Sequence, residues 1–178
     1  MPTAIRGFSK LQPVGAETDV VIQGCGPVGL ACTLLASLAG SRSITVIGDP
    51  RKRLNAAVSL GATHALSLSE TTISERADLI RKVTGVRGAG TVIEAAGAAG
   101  AFSEGLKLLG MNGQYLIFGL YSGSAPCVID PVRINNLNLQ IIGSLGIDPM
   151  HYRETVRIAS VHGEGARLSD LVTHQFPP

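Results

Sequence analysis

Asp19-Val-Val-Ile-Gln-Gly-Cys-Gly-Pro-Val-Gly-Leu30 is the stretch from which the rest of the chain is read. Asp19 to Gln23 is an apolar, β-branched run of strand length, and glycines follow it without a spacer. Pro27 to Leu38 is then a run of small and apolar residues of helical length, with Gly40 after it as a stop. A bare GxGxxG means little in a chain with 22 Gly, but a strand before it and a helix after it give the spacing a mechanism. Gly24 permits a tight turn, Gly26 lets a pyrophosphate approach the backbone, and Gly29 lets the helix pack close to the sheet. Pro27 has no N–H, so Val28 and its successors supply the donors at the positive end of the helix. Without a ligand the same residues are only a tight strand-to-helix turn, and the motif's context favours the phosphate loop.

Outward from this unit, short β-branched runs alternate with helical patterns. Ser43-Ile-Thr-Val-Ile47 predicts a second strand, and Arg51 to Leu60 a helix with Leu54, Ala57, Val58 and Gly61 on one face. A weak strand at His64 to Leu68 precedes a helix from about Ser74 to Val83, with Ala77, Ile80 and Arg81 at helical spacing. Thr91 to Ala95, a helix around Ala101 to Leu109, and Gln114 to Phe118 continue the alternation. Strands and helices of these lengths in this order predict right-handed βαβ units and a parallel sheet. The strands show little in-out alternation, as expected of a sheet covered on both faces. Cys127 to Asp130 and Leu139 to Ile142 read as further strands. Asp148-Pro149 reads as an N-cap and first helical position, opening a helix to about Val161. Val172 to His174 reads as a last strand, and the stop at Phe176-Pro-Pro178, with no helix to close the layer, reads as a truncation. The expectation is one α/β domain over 1–178, a Rossmann-type doubly wound parallel sheet of six main strands with helices on both faces.

Composition excludes several alternatives. The 178 residues are 45% hydrophobic and 16% charged, which rules out intrinsic disorder. No stretch reaches the ~20 uninterrupted apolar residues of a membrane span; the richest, Val28 to Ala39, contains Thr33 and Ser37. A net charge of +2 with scattered Lys and Arg, and only three Tyr, four Phe and no Trp, gives no nucleic-acid surface. Cys25, Cys32 and Cys127 are odd in number at unrelated spacings, and His64, His151, His162 and His174 are scattered. Neither a disulfide framework nor a self-contained zinc site is expected. With no apolar leader after Met1, a reduced, cytoplasmic protein is the expectation.

The second strand ends at Gly48-Asp49, about 20 residues past Gly29, where a dinucleotide fold puts its ribose-binding acid. A methyltransferase or a flavoprotein can carry a similar glycine loop. The prompt second βα unit and the lack of an aromatic-rich motif after it weigh against both.

The chain resembles the coenzyme-binding domain of the medium-chain dehydrogenase/reductase family, the zinc-dependent alcohol dehydrogenase relatives. The runs that carry the resemblance are Val20 to Leu30, Arg53-Leu54 with Leu60-Gly-Ala62, Val92-Ile-Glu-Ala-Ala-Gly97 and Glu104 to Leu109. Gly113 to Gly119, Ile142-Gly-Ser144 and Leu171 to Pro177 follow in family order. The resemblance implies a longer parent enzyme whose catalytic domain, with its zinc ligands, lies mostly before Met1 and partly after Pro178. It implies no catalytic or metal-binding residue within this chain, and an inactive domain when it stands alone. It implies that Glu94 to Gly97, Phe118-Gly119 and Ser144 to Gly146 face a nicotinamide, and that such domains pair through an edge strand. The coenzyme-binding residues so expected are Gly24, Gly26, Pro27, Val28, Gly29, Gly48, Asp49, Arg53, Ala96, Phe118, Ser144 and Gly146.

Hydride transfer between NAD(P) and an alcohol, aldehyde or ketone is the function the resemblance implies. A zinc-free quinone reductase and a non-enzymatic NAD(H)-binding regulatory module are the alternatives. Aligning on Leu60-Gly-Ala62 puts Gly48 at the place of the NAD-selecting acid, with Asp49 one residue beyond. Arg51, Lys52 and Arg53 nearby would suit NADP, whereas Asp49 beside a 2′-phosphate would oppose it, so NAD is the expectation. Cys25 and Cys32 read as small buried filler. Glu94 reads evenly as a group orienting a loop or ribose and as a solvated strand end. His151-Tyr152 reads as an ordinary first helical turn, and His174 as structural.

Overall fold

The apolar runs pair side by side as their composition predicts. β1 (Asp19–Gln23) lies between β2 (Ser43–Gly48) and β4 (Ala89–Glu94), parallel to both. β3 (His64–Ser67) extends one side beside β2, and β5 (Leu109–Ile117) and β6 (Gln140–Gly143) extend the other, giving a six-stranded sheet of order β3-β2-β1-β4-β5-β6. The computed structural model describes residues 1–85, 87–120, 126–162 and 168–171. α1 (Pro2–Phe8) precedes the sheet, α2 (Pro27–Leu38), α3 (Arg51–Ser59), α4 (Ile73–Val83), α5 (Ala99–Leu108) and α6 (Pro131–Asn136) connect its strands, and α7 (Pro149–His162) follows β6.

Neighbouring residues of β1 serve opposite cores. Val20 and Ile22 pack with Ala4 of α1, Leu30 and Leu34 of α2, Leu54 of α3 and Ile158 of α7. Val21 packs on the other face with Ile80 of α4, Leu106 and Leu108 of α5, and Tyr115. Both faces are dry, so the strand reads as continuous apolar sequence. The chain winds outward from β1 to β3 and returns to β4 beside β1. The order therefore reverses between β1 and β4, and open α/β sheets bind ligands at the carboxyl ends of strands beside such a reversal. No described helix is long and apolar enough to cross a membrane.

Several expectations need correction. Residues 126–130 form no strand; the Asp130 carboxylate accepts from Val132 N–H at 2.9 Å and caps α6, so Asp130-Pro131 is a helix start hidden behind β-branched Val128-Ile129. α1, which opens with Pro2, was not anticipated. On α3 only Leu54 and Ala57 are buried, while Val58 is exposed. Arg81 of α4 faces solvent, and Arg76 is buried instead, joined to Glu104 of α5 by bonds of 2.6 and 3.1 Å. α7 begins at Pro149 behind Asp148 as expected, but the side-chain bond at its start is made by His151 and not by Asp148. His151 is buried, and its Nδ1 accepts from Asp148 N–H at 2.9 Å, leaving the Asp148 carboxylate to bond Arg6 at 3.1 Å. The strand expected at Val172 to His174 and the Phe176-Pro-Pro178 ending lie outside the described residues.

Candidate functional site

Backbone bonds between strand ends gather the loops of the carboxyl edge. Gly24 N–H donates to Ile47 O at 2.7 Å, Ala95 N–H to Gln23 O at 2.8 Å, Phe118 N–H to Glu94 O at 2.8 Å, and Ser144 N–H to Ile117 O at 3.0 Å. The loops after β1, β4, β5 and β6 are thereby laid side by side. Gly24 has φ +108°, and a Cβ there would sit 2.8 Å from the Ala95 carbonyl, so both conformation and contact demand glycine. A Cβ at Gly29 would collide with the Gly24 carbonyl oxygen, because α2 begins against the turn. Gly26 is different: a Cβ there would meet nothing within 4 Å. Its smallness serves no internal packing and keeps the space outside the loop open.

α2 starts at Pro27 with Gly26 as N-cap, no side chain capping it and no acid in its first turn. Leu30 N–H makes the first bond back, to Gly26 O at 2.9 Å, so Val28 and Gly29 N–H have no acceptor within the helix. A positive helix end with free donors beside an open glycine is a seat for an anion.

At the end of β2, Cys25 Sγ donates to Asp49 O at 3.2 Å, and a Cβ on Gly48 would lie 2.7 Å from that sulfur. Cys25 therefore packs the first loop onto the second. Asp49 Oδ1 accepts from Ser67 Oγ at 2.7 Å and Oδ2 from Ser69 N–H at 3.0 Å. Arg51 pairs with Glu70, and half-buried Arg53 acts on Cys25 through its charge. Burial pushes the Cys25 thiol up against the opposing pull of Arg53, and burial pushes Cys32 up much further. Both therefore remain thiols, as filler cysteines do. Brief iodoacetamide treatment of the folded chain should label Cys127, the least buried of the three, first. Peptide mass spectrometry showing Cys25 or Cys32 labelled ahead of it would contradict this packing.

Glu94 is fully buried at the end of β4, not solvated. Its Oε1 accepts from Ala96 and Gly97 N–H, both at 2.7 Å, and its Oε2 occupies the space that a side chain at 119 would need. One carboxylate thus fixes the loop after β4 and meets the loop after β5 at Gly119.

The expected nicotinamide-facing residues lie along this edge. Ala96 is exposed, Phe118 is half-buried and packs its ring toward α1, and Gly146 is exposed with φ +81°. Ser144 is buried, and its Oγ has no partner among the described residues. An orphaned hydroxyl, open space at Gly26 and free N–H groups on α2 together fit a ligand with an anionic middle and a hydrogen-bonding end. Among the described residues no three His, Cys, Asp or Glu are grouped so that they could hold a metal ion. A cavity of about 810 Å³ lies elsewhere, between α1 and α7, lined by Ile5, Arg6, Phe8, Met150 and His151 among others. It touches none of the strand ends. The structure adds Ser67 and Ser69 to the site, for which the sequence carries no spacing signal.

This chain belongs to the zinc-binding dehydrogenase family, whose model matches residues 27–160. It is 40% identical over 176 residues to 5-exo-hydroxycamphor dehydrogenase from Pseudomonas putida, covering 99% of this chain and 49% of that protein. It is 28% identical to an L-threonine 3-dehydrogenase from Bacillus subtilis, over 98% of this chain and 48% of that protein. Its fold is similar to an alcohol dehydrogenase from Thermotoga maritima, with TM-score 0.89 and 32% identity, over 97% of this chain and 47% of that one. The chain thus spans about half the length of the relatives it matches.

Proposed function

We propose that this chain is the nicotinamide-dinucleotide-binding domain of an oxidoreductase that moves hydride between NAD and an alcohol, aldehyde or ketone. The observation that carries the reading is the uncapped N-terminus of α2, set beside open Gly26 at the reversal of strand order. Val28 and Gly29 N–H receive the pyrophosphate, with Gly24, Gly26 and Pro27 shaping its seat. Asp49, one residue past β2, accepts from the adenosine ribose, with Gly48 and Arg53 beside it. The backbone at Ala96, Phe118 and Gly146, and the free Oγ of Ser144, hold the nicotinamide end and so select the face that reacts. Bound there, the nicotinamide supplies the hydride acceptor or donor. Zinc, where the whole protein uses it, would be held by residues outside this chain and would polarise the substrate oxygen. Names of relatives such as 5-exo-hydroxycamphor dehydrogenase support an alcohol as substrate class. Among the described residues no strand lies on the outer edge of β6, where Ile141 is exposed, which supports pairing of two copies edge to edge.

Calorimetric titration of the purified chain tests this. NAD should bind, more weakly than to a two-domain enzyme whose closure buries the nicotinamide, and no alcohol should be oxidised by the chain alone. Absence of binding at millimolar NAD, or zinc-dependent turnover by this chain, would overturn the reading.

A further inference from the structure

The loop after β3 does more than connect elements: we propose that Ser67 to Glu70 is the specificity-determining segment that selects a dinucleotide lacking a 2′-phosphate. This rests on the coenzyme reading above and goes further, to which coenzyme and by what device.

Asp49 is exposed, and an exposed carboxylate on its own can swing away from an incoming phosphate. Here it cannot turn freely. Ser67 Oγ holds Oδ1 at 2.7 Å, and Ser69 N–H holds Oδ2 at 3.0 Å. Ser69 Oγ lies 3.4 Å from Oδ1 and 3.0 Å from Ser67 Oγ, so the two hydroxyls also brace each other. At its backbone, Asp49 O accepts from Cys25 Sγ at 3.2 Å, fixing the residue to the phosphate loop. A carboxylate has about four lone-pair sites, and these bonds leave room on it for a ribose hydroxyl. A 2′-phosphate would instead meet a fixed negative charge.

The same segment deals with the cations. NADP sites present a guanidinium to the phosphate, and three basic residues open α3 here. Arg51 is paired with Glu70, the residue after Ser69. Arg53 is half-buried, and Lys52 is exposed on the helix. One short segment therefore pins the repelling anion and pairs with one of the two guanidinium groups that open α3.

The test is a pair of titrations, NAD and NADP, on the wild-type chain and on Glu70→Gln, Ser67→Ala and the double variant. Glu70 is an exposed surface residue, so its variant has no packing reason to unfold. The double variant should lower the preference for NAD over NADP by about tenfold, the scale of one charge-assisted hydrogen bond. Each single variant should lower it by a smaller factor. Asp78→Asn, which frees Arg81 from a comparable ion pair on α4, should leave the preference where it was. Thermal midpoints and near-ultraviolet circular dichroism report whether the variants stay folded. A wild-type chain that binds NAD, with a preference unmoved beyond twofold in Glu70→Gln and in the double variant, would overturn this assignment alone. A wild-type chain that binds neither dinucleotide would overturn the coenzyme reading and this assignment with it.

Discussion

Gly26→Val should leave the domain as stable as the parent chain and lower its affinity for NAD by at least about a hundredfold, or roughly 2.7 kcal/mol. The two halves of that result have separate causes. A Cβ at Gly26 meets no protein atom within 4 Å, so a branched side chain is accommodated in the free chain. It would fill the space through which a pyrophosphate must reach the Val28 and Gly29 N–H groups, and each charge-assisted bond lost costs about 1.5–3 kcal/mol. Gly29→Ala separates the effects, because its Cβ strikes the Gly24 carbonyl and must lower the thermal midpoint before any ligand is added. Calorimetry and thermal denaturation on both variants give the comparison. NAD binding to Gly26→Val at the parent affinity would mean that the glycine loop is not the phosphate seat.

Glu94→Ala should destabilise the domain by about 3 kcal/mol, through two N–H groups deprived of a charged acceptor and a void in the core. Ala96 and Gly97 N–H both lose a 2.7 Å bond, and the loop after β5 loses the Oε2 atom packed against Gly119. Glu94→Gln keeps one acceptor oxygen without its charge and should cost only about 1 kcal/mol. Urea midpoints of the three proteins decide the matter. A loss below about 1 kcal/mol in Glu94→Ala would show that water replaces the carboxylate without penalty.

How much of this was legible in the sequence depended on what kind of interaction sets each feature. β1 and α2 begin and end at the residues that β-branching, the glycines and Pro27 indicate, since those preferences are local and agree with burial on both faces. The segment 127–130 reads as a strand because Val128 and Ile129 favour strands, yet no described strand pairs with them and the Asp130-Pro131 cap decides the outcome. On α4, Ile80 is buried as its spacing suggests, but the burial of Arg76 has no local signal. Arg76 is buried with its charge met by Glu104, distant in sequence, and a further bond to Thr71 O. The glycine loop and the strand-end residues were readable because their chemistry is backbone chemistry at fixed spacing. The fastening of Asp49 by Ser67 and Ser69 was not, because it depends on β3 lying beside β2. Glu94 was visible as an odd charge at the end of an apolar strand; whether water or backbone N–H groups surround it is a tertiary fact.

The most direct test of the central claim is an amide-resolved NMR titration of the isotope-labelled chain with NADH. The account predicts shifts clustered at Gly24 to Gly29, Asp49, Ala96-Gly97, Phe118 and Ser144, with the residues lining the α1–α7 cavity unmoved. Shifts centred on Arg6, Met150 and His151, or no shifts at millimolar NADH, would contradict it.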